Sequence, residues 1–189
     1  MVKAELAHRM WGDWPSVILA TEAVELEVVS EVGARVVSLR DRRRDREWLV
    51  QGQKPRELEQ MDWAEQGAVF AGRESFGWDE CLPTTAPCAD PLIVGANLRD
   101  HGDQWGRGAY LRLDHANSAV EHTWAAARWD YRLRRRLSFA DEETVLAQYL
   151  LESHADVPLP IHWAQHPVIR AEPGSTIDLP GVAAARCSW

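Results

Sequence analysis

The chain has no surplus of positive charge. It carries 21 Lys and Arg against 29 Asp and Glu, a formal net charge of -8 with a pI near 5.4. Nucleic-acid binding needs clustered cations for phosphate contacts, so no nucleic-acid partner is expected. Two arginine runs stand out from this acidic average. Arg42-Arg43-Arg44 lies in DRRRDRE, where acids interleave. Arg134-Arg135-Arg136 lies in a strand-like segment, where alternate arginines point to opposite sides. Both runs read as solvated faces. Long apolar runs are missing too. No stretch approaches the roughly eighteen residues of a membrane span, and the N-terminal MVKAELAHRMWGDW has no apolar signal-peptide core. No membrane association is expected, and the cytoplasm is the expected compartment. Cysteine is scarce: Cys81, Cys88 and Cys187 make an odd count with no CxxC pair, which suits reduced, structural thiols. The chain also lacks a G-x-S-x-G elbow, a phosphate loop and a dinucleotide fingerprint, so neither a serine-hydrolase mechanism nor a cofactor is expected. It has no repeat, low-complexity tract or interdomain linker, and residues 1–189 read as a single domain.

Tryptophan is abundant, with ten in 189 residues. Some must be core. Trp63, Trp78, Trp105 and Trp163 lie in loop-like or histidine-bearing segments, where an indole face could pack against the C–H face of a sugar. Strand signals dominate the rest. Val24 to Val28 alternates apolar and polar, and Ala34 to Leu39 follows Gly33 as the second arm of a hairpin. Glu47 to Val50 is a short third strand, and residues 54–61 are expected to make a helical turn. Residues 71–91 are rich in Gly, Pro, Thr and Cys and read as a long ordered loop. It holds Phe76, Trp78 and Cys81, with Phe70 just before it, too apolar for disorder. Ala109 to Leu113, Ala119 to Trp124, Trp129 to Phe139 and Thr144 to Ser153 are spaced like a meander, with a turn at Asp141-Glu142. Val145 to Leu151 has the mixed pattern of a strand covered on both faces. His154 to Pro160 is a connection, because its prolines cannot sit in a central strand. Gly174 and Pro180 mark turns. The fold class is therefore all-β, built from antiparallel sheets.

Two segments hold a histidine beside a tryptophan: Asp100-His101-Gly102-Asp103-Gln104-Trp105 and Ile161-His162-Trp163-Ala164-Gln165-His166-Pro167. Histidine exchanges protons near neutral pH, so a sheet joining the two would make a carbohydrate site. The plainer alternative is a pair of ordinary histidines near strand ends. A metal centre is not expected. His162 and His166 have ligand-like spacing, but Pro160 and Pro167 argue against the helix that would put both on one ion. Along a strand they stand about 13 Å apart.

Several pieces, taken in order, resemble the galactose mutarotase (aldose 1-epimerase) superfamily. Val24-Glu25-Leu26, Gly33 to Leu39 and Glu47-Trp48-Leu49 look like its first hairpin. Phe76-Gly77-Trp78-Asp79-Glu80-Cys81-Leu82-Pro83-Thr84 resembles the "GW-E-FP" loop of divergent members. Asp100-His101-Gly102 looks like its "HG" motif, and Leu151-Glu152-Ser153, Leu159-Pro160 and His166-Pro167 look like the strand, connection and "HP" that follow. The resemblance spans roughly residues 20–180. It implies an antiparallel β-sandwich of the supersandwich type, with a cleft for a hexopyranose. It also implies ring opening and closure that interconverts sugar anomers, by a glutamate that deprotonates the anomeric hydroxyl and a histidine that protonates the ring oxygen. Carried over, His166 matches the acid and His101 the second, orienting histidine. Arg73, Trp78, Asp79, Trp105 and Trp163 are the substrate-binding candidates.

One departure bears on the chemistry. No residue here matches the family's base glutamate, which lies near the end of longer chains. The expectation is thus a mutarotase-like domain lacking C-terminal strands, whose open edges a second copy or a partner chain could cover. Asp79 and Glu80 could stand in as the base, or could be solvated or capping carboxylates. The alternative function is a sugar-binding or regulatory module without turnover.

Overall fold

The computed structural model describes residues 2–52, 75–126, 128–178 and 180–181. The expected helical turn at 54–61 lies outside them. The chain opens with four antiparallel strands in sequence: β1 (Glu5–Trp11), β2 (Trp14–Ala20), β3 (Val24–Val29) and β4 (Arg35–Asp41). The β3–β4 connection runs through Gly33 (φ +67) and Ala34 (φ 46), left-handed geometry that favours glycine. A Cβ on Gly33 would also run into the carbonyl of Trp105. β5 (Arg46–Glu47) is a two-residue addition to β4.

β6 (Trp78–Cys81) pairs with β4. Here the structure corrects the sequence expectation, because the stretch read as one long loop contains a strand inside the large sheet. Its Trp-Asp-Glu-Cys run shows no apolar alternation because both carboxylates are buried against partners on opposite faces.

After the short ribbon β7 (Cys88–Ala89) and β8 (Asn97–Leu98), the expected meander follows. It comprises β9 (Tyr110–Asp114), β10 (Ala119–Ala125), β11 (Tyr131–Phe139) and β12 (Val145–Ser153). The last strand, β13 (Ala164–Pro167), returns to pair with β6. Among the described residues the order is β1-β2-β3-β4-β6-β13 in the large sheet, with β5 beside β4, and β12-β11-β10-β9 in the four-stranded sheet. The two sheets pack face to face. Leu19, Leu26, Val28 and Val36 of the first meet Val120, Trp124, Leu133 and Leu137 of the second, all buried. This is the all-β antiparallel sandwich class. A smaller cluster, Val29, Val32, Val37 and Phe76, covers part of the opposite face of the large sheet. Trp11 stacks on Phe76 there, with ring centroids 5.5 Å apart.

Three further expectations are corrected. β1 and β2 were not foreseen; β1 is polar and largely exposed, so it carries no alternation signal. β12 is not covered on both faces, since Leu146 and Leu150 point outward and are exposed. The second arginine run is not all solvated. Arg135 is buried between the sheets, while Arg134 lies at the surface. Among the described residues, no helix is long and apolar enough to cross a membrane.

Candidate functional site

The register of β13 on β6 sets His166 opposite Asp79, Gln165 opposite Glu80 and Pro167 opposite Trp78. Successive side chains on a strand face opposite ways, so Asp79 and His166 share the outer face of the large sheet. Trp78 and Glu80 face the core. On the outer face Arg35 of β4 donates from Nε to Oδ1 of Asp79 at 2.6 Å, with both side chains buried. The same guanidinium lies 4.2 Å from the Phe76 ring centroid.

The second histidine arrives on a loop. Leu82 and Gly102 form a parallel bridge, and the Asp103 N–H donates to the Leu82 carbonyl at 2.8 Å. Gly102 has φ +74, and a Cβ there would collide with that carbonyl. Only glycine permits both the conformation and the approach. The bridge seats His101, itself at φ 57, against β13. The His101 and His166 rings meet edge to face, with centroids 5.1 Å apart and planes at 87°. Asp100 Oδ1 lies 2.8 Å from His101 Nδ1. The two histidines singled out in the sequence, about sixty residues apart, are therefore neighbours.

Burial dominates the electrostatics of this cluster. It lowers the His166 pKa below the usual imidazole value, and the charges of His101 and Arg35 push in the same direction. These effects favour the neutral form of the ring. Burial pushes the Asp79 carboxyl up to about 6 despite the opposing Arg35. The Cys81 thiol on the same face is pushed up to about 12, again by burial first, which leaves it inert as a nucleophile.

The remaining candidates fall elsewhere. Trp78 packs against the sandwich core. Trp105 is only 3% exposed and donates its indole N–H to the Asp100 carbonyl at 3.1 Å. It is a support beneath the histidine loop and offers no stacking face. Trp163 is 38% exposed, but it belongs to the core side of β6, where Nε1 donates to Glu80 Oε2 at 3.0 Å and its ring meets Tyr149 edge-on at 4.7 Å. Glu80 also accepts from Arg135 at 3.2 Å and from the Tyr149 hydroxyl at 2.7 Å. Asp79 and Glu80 are both fully buried, so neither is the solvated or capping carboxylate the sequence suggested. Arg73 lies outside the described residues. A cavity of about 550 Å³ opens between β4 and the start of β12, lined by Leu39, Trp48, Val145 and Ile169 among others. No expected site residue lines it.

Sequence reasoning missed Arg35, Arg135 and Asp100. A signal for two of them existed. Adjacent Asp79 and Glu80 in a strand must face opposite ways, and a buried carboxylate needs a partner. Arg135 shares parity with the apolar Leu133 and Leu137, which places it on the core face. Arg35 opens an apolar strand.

No family model matches the chain, and no curated protein matches it. Among solved structures, it is similar to a TPR-domain containing protein from Parabacteroides distasonis (12% identity, TM-score 0.49, 73% of this chain and 21% of that one). It is also similar to 4-alpha-glucanotransferase from Thermococcus litoralis (10% identity, TM-score 0.49, 79% of this chain and 24% of that one). The chain thus spans less than a quarter of each of these structures, at a likeness below that of a shared fold.

Proposed function

We propose that this chain is an aldose 1-epimerase-like protein that binds a hexopyranose and interconverts its anomers by ring opening and closure. The observation that supports it is the meeting of His101 and His166, ring centroids 5.1 Å apart, with a carboxylate oxygen of Asp100 2.8 Å from His101 Nδ1. Ring opening moves one proton off the anomeric hydroxyl and another onto the ring oxygen. Both oxygens sit on the same carbon, so the groups that serve them must stand side by side, within hydrogen-bond reach of about 2.6–3.2 Å. Two adjacent imidazoles meet that requirement.

A second reading, a sugar-binding module without turnover, is favoured by one specific observation. The two carboxylates that could replace a glutamate base, Asp79 and Glu80, are both buried and committed to arginines. Polarimetry on freshly dissolved α-glucose and α-galactose separates the two. Acceleration of mutarotation that disappears in His166→Ala is the expected result. Saturable ligand-induced change in tryptophan fluorescence without acceleration would favour the module. No response to any aldose would defeat both.

A further inference from the structure

A bare sheet edge invites another chain to pair with it, and folded proteins blunt such edges with charge, proline or short strands. Among the described residues the edge strands are β1 and β13 in the large sheet and β9 and β12 in the four-stranded sheet. Three of them are blunted. β1 is polar, with Glu5, His8 and Arg9. β13 is four residues long and ends in Pro167. β9 holds Arg112 and ends in Asp114. β12 is different. It runs for nine residues, Val145-Leu146-Ala147-Gln148-Tyr149-Leu150-Leu151-Glu152-Ser153, without proline, lysine or arginine. Its charged residue, Glu152, sits near one end, where Arg134 of β11 holds it at 2.7 Å. β11 pairs one side of the strand along its whole length. Val145, Ala147 and Tyr149 pack toward the core. Leu151 shares their parity and is still 37% exposed, while Leu146 and Leu150 stand exposed on the outer face.

The order of these side chains is symmetric about Gln148, and that symmetry identifies the occupant. A two-fold axis through Gln148, perpendicular to the sheet, pairs β12 antiparallel with a second copy and keeps every side chain on its own face. Leu146 then meets Leu150 of the second copy, Val145 meets Leu151, and Ala147 meets Tyr149. Gln148 meets Gln148, amide against amide, and Thr144 meets Glu152. Each apolar residue faces an apolar one, and no like charges are opposed. Moving the axis by one residue sets Leu146 against Glu152 or against Gln148. We propose that β12 is the dimerisation strand of this protein, joining two copies edge to edge about Gln148 into one continuous sheet. The contact uses the same strand on both copies, so it closes at a dimer and leaves no free β12 edge to propagate. It does not depend on the epimerase reading.

The test locates the axis by cross-linking the whole chain, with Cys88→Ser and Cys187→Ser as background. Residues directly opposed across an antiparallel pair have Cβ atoms about 4.5–5.5 Å apart, close enough for a disulfide. Gln148→Cys alone is therefore expected to form a covalent dimer on mild oxidation. Leu146→Cys alone is not, because the same residue of the second copy lies about 13 Å along the strand. Leu146→Cys mixed with Leu150→Cys should bridge. Sedimentation of the wild-type chain should show monomer and dimer in concentration-dependent exchange and nothing larger. Charge at the axis gives a second reading that needs no bridge. Gln148 is exposed, so charged variants there should fold. Gln148→Lys and Gln148→Glu should each weaken the dimer by roughly fivefold, and an equimolar mixture of the two should restore it. A wild-type chain that stays monomeric at every concentration, or one that assembles past the dimer, would overturn the proposal. So would a bridge from Leu146→Cys alone, or a mixture that associates no more tightly than either charged variant.

Discussion

At the residue scale, two buried groups and one half-buried histidine contribute to the pH response. Burial holds His122 of β10 well below its ordinary value of 6.5, helped by the nearby Arg135. It sits in the core with Ser30 Oγ 3.2 Å from Nε2. As pH falls through 6.5 the unfolded chain takes up a proton that folded His122 refuses. Stability then drops by up to about 1.4 kcal/mol per pH unit. His166 contributes in the same direction. Asp79 opposes them, because its pKa is raised from 3.8 to about 6 and the folded state takes the proton first as pH falls through that window. Between about pH 6 and 3.8 the contributions partly cancel. Asp79→Asn removes the opposing one, so its urea midpoint should decline more steeply with acid than the wild type's. A parallel decline would refute the balance. Trp105 gives a second test at this scale. Buried beneath the histidine loop, it should cost about 3–5 kcal/mol when cut to alanine, seen as a lower denaturation midpoint. A loss of sugar affinity with stability unchanged would point to a stacking role.

At the scale of elements, β6 organises the site. Four residues place one carboxylate on each face of the large sheet, and each meets its own buried arginine. Removing one partner of such a pair strands the other charge. Arg135→Met should therefore cost about 3–5 kcal/mol, and the double variant Arg135→Met/Glu80→Gln should recover part of it in a double-mutant cycle. Full additivity would mean the two side chains act independently. Gly102 is the hinge point of the histidine loop. Gly102→Ala places a side chain in left-handed geometry, which costs about 1–3 kcal/mol, and drives a Cβ into the Leu82 carbonyl. The expected result is a destabilised loop whose His101–His166 contact is lost, read as a changed His166 ring shift. The meander β9–β12 was legible in the sequence because alternate residues enter one core. β6 was not, because its buried residues are charged and its strand character comes from neighbours distant in sequence.

At the scale of the molecule, two sheets share one apolar core, and β12 is left at an edge. Among the described residues no strand pairs its outer side. Leu146, Leu150 and Leu151 are exposed along it. An unprotected apolar edge is a template for pairing with another chain. Leu146→Lys/Leu150→Lys should lower concentration-dependent self-association in sedimentation or light scattering. The folding stability should change by no more than about 0.5 kcal/mol per site, as for exposed positions. Association unchanged by both lysines would place the sticky surface elsewhere.

The sequence alone was enough to determine the all-β class, the β3–β4 hairpin, the four-strand meander and the two histidine segments as a matched pair. These are local properties, written in alternation, turn residues and composition. Only the tertiary structure decided that the segment around Trp78 is a strand of the large sheet, that Arg35 and Arg135 are buried, and that the indole N–H groups of Trp105 and Trp163 are taken up by Asp100 and Glu80. It also decided that Asp100 backs one histidine while Arg35 and Asp79 lie under the other. The reason is physical. A charged residue in a sequence reads as surface until a partner from a distant strand compensates its burial, and that partner is chosen by sheet order and register, which no local pattern encodes.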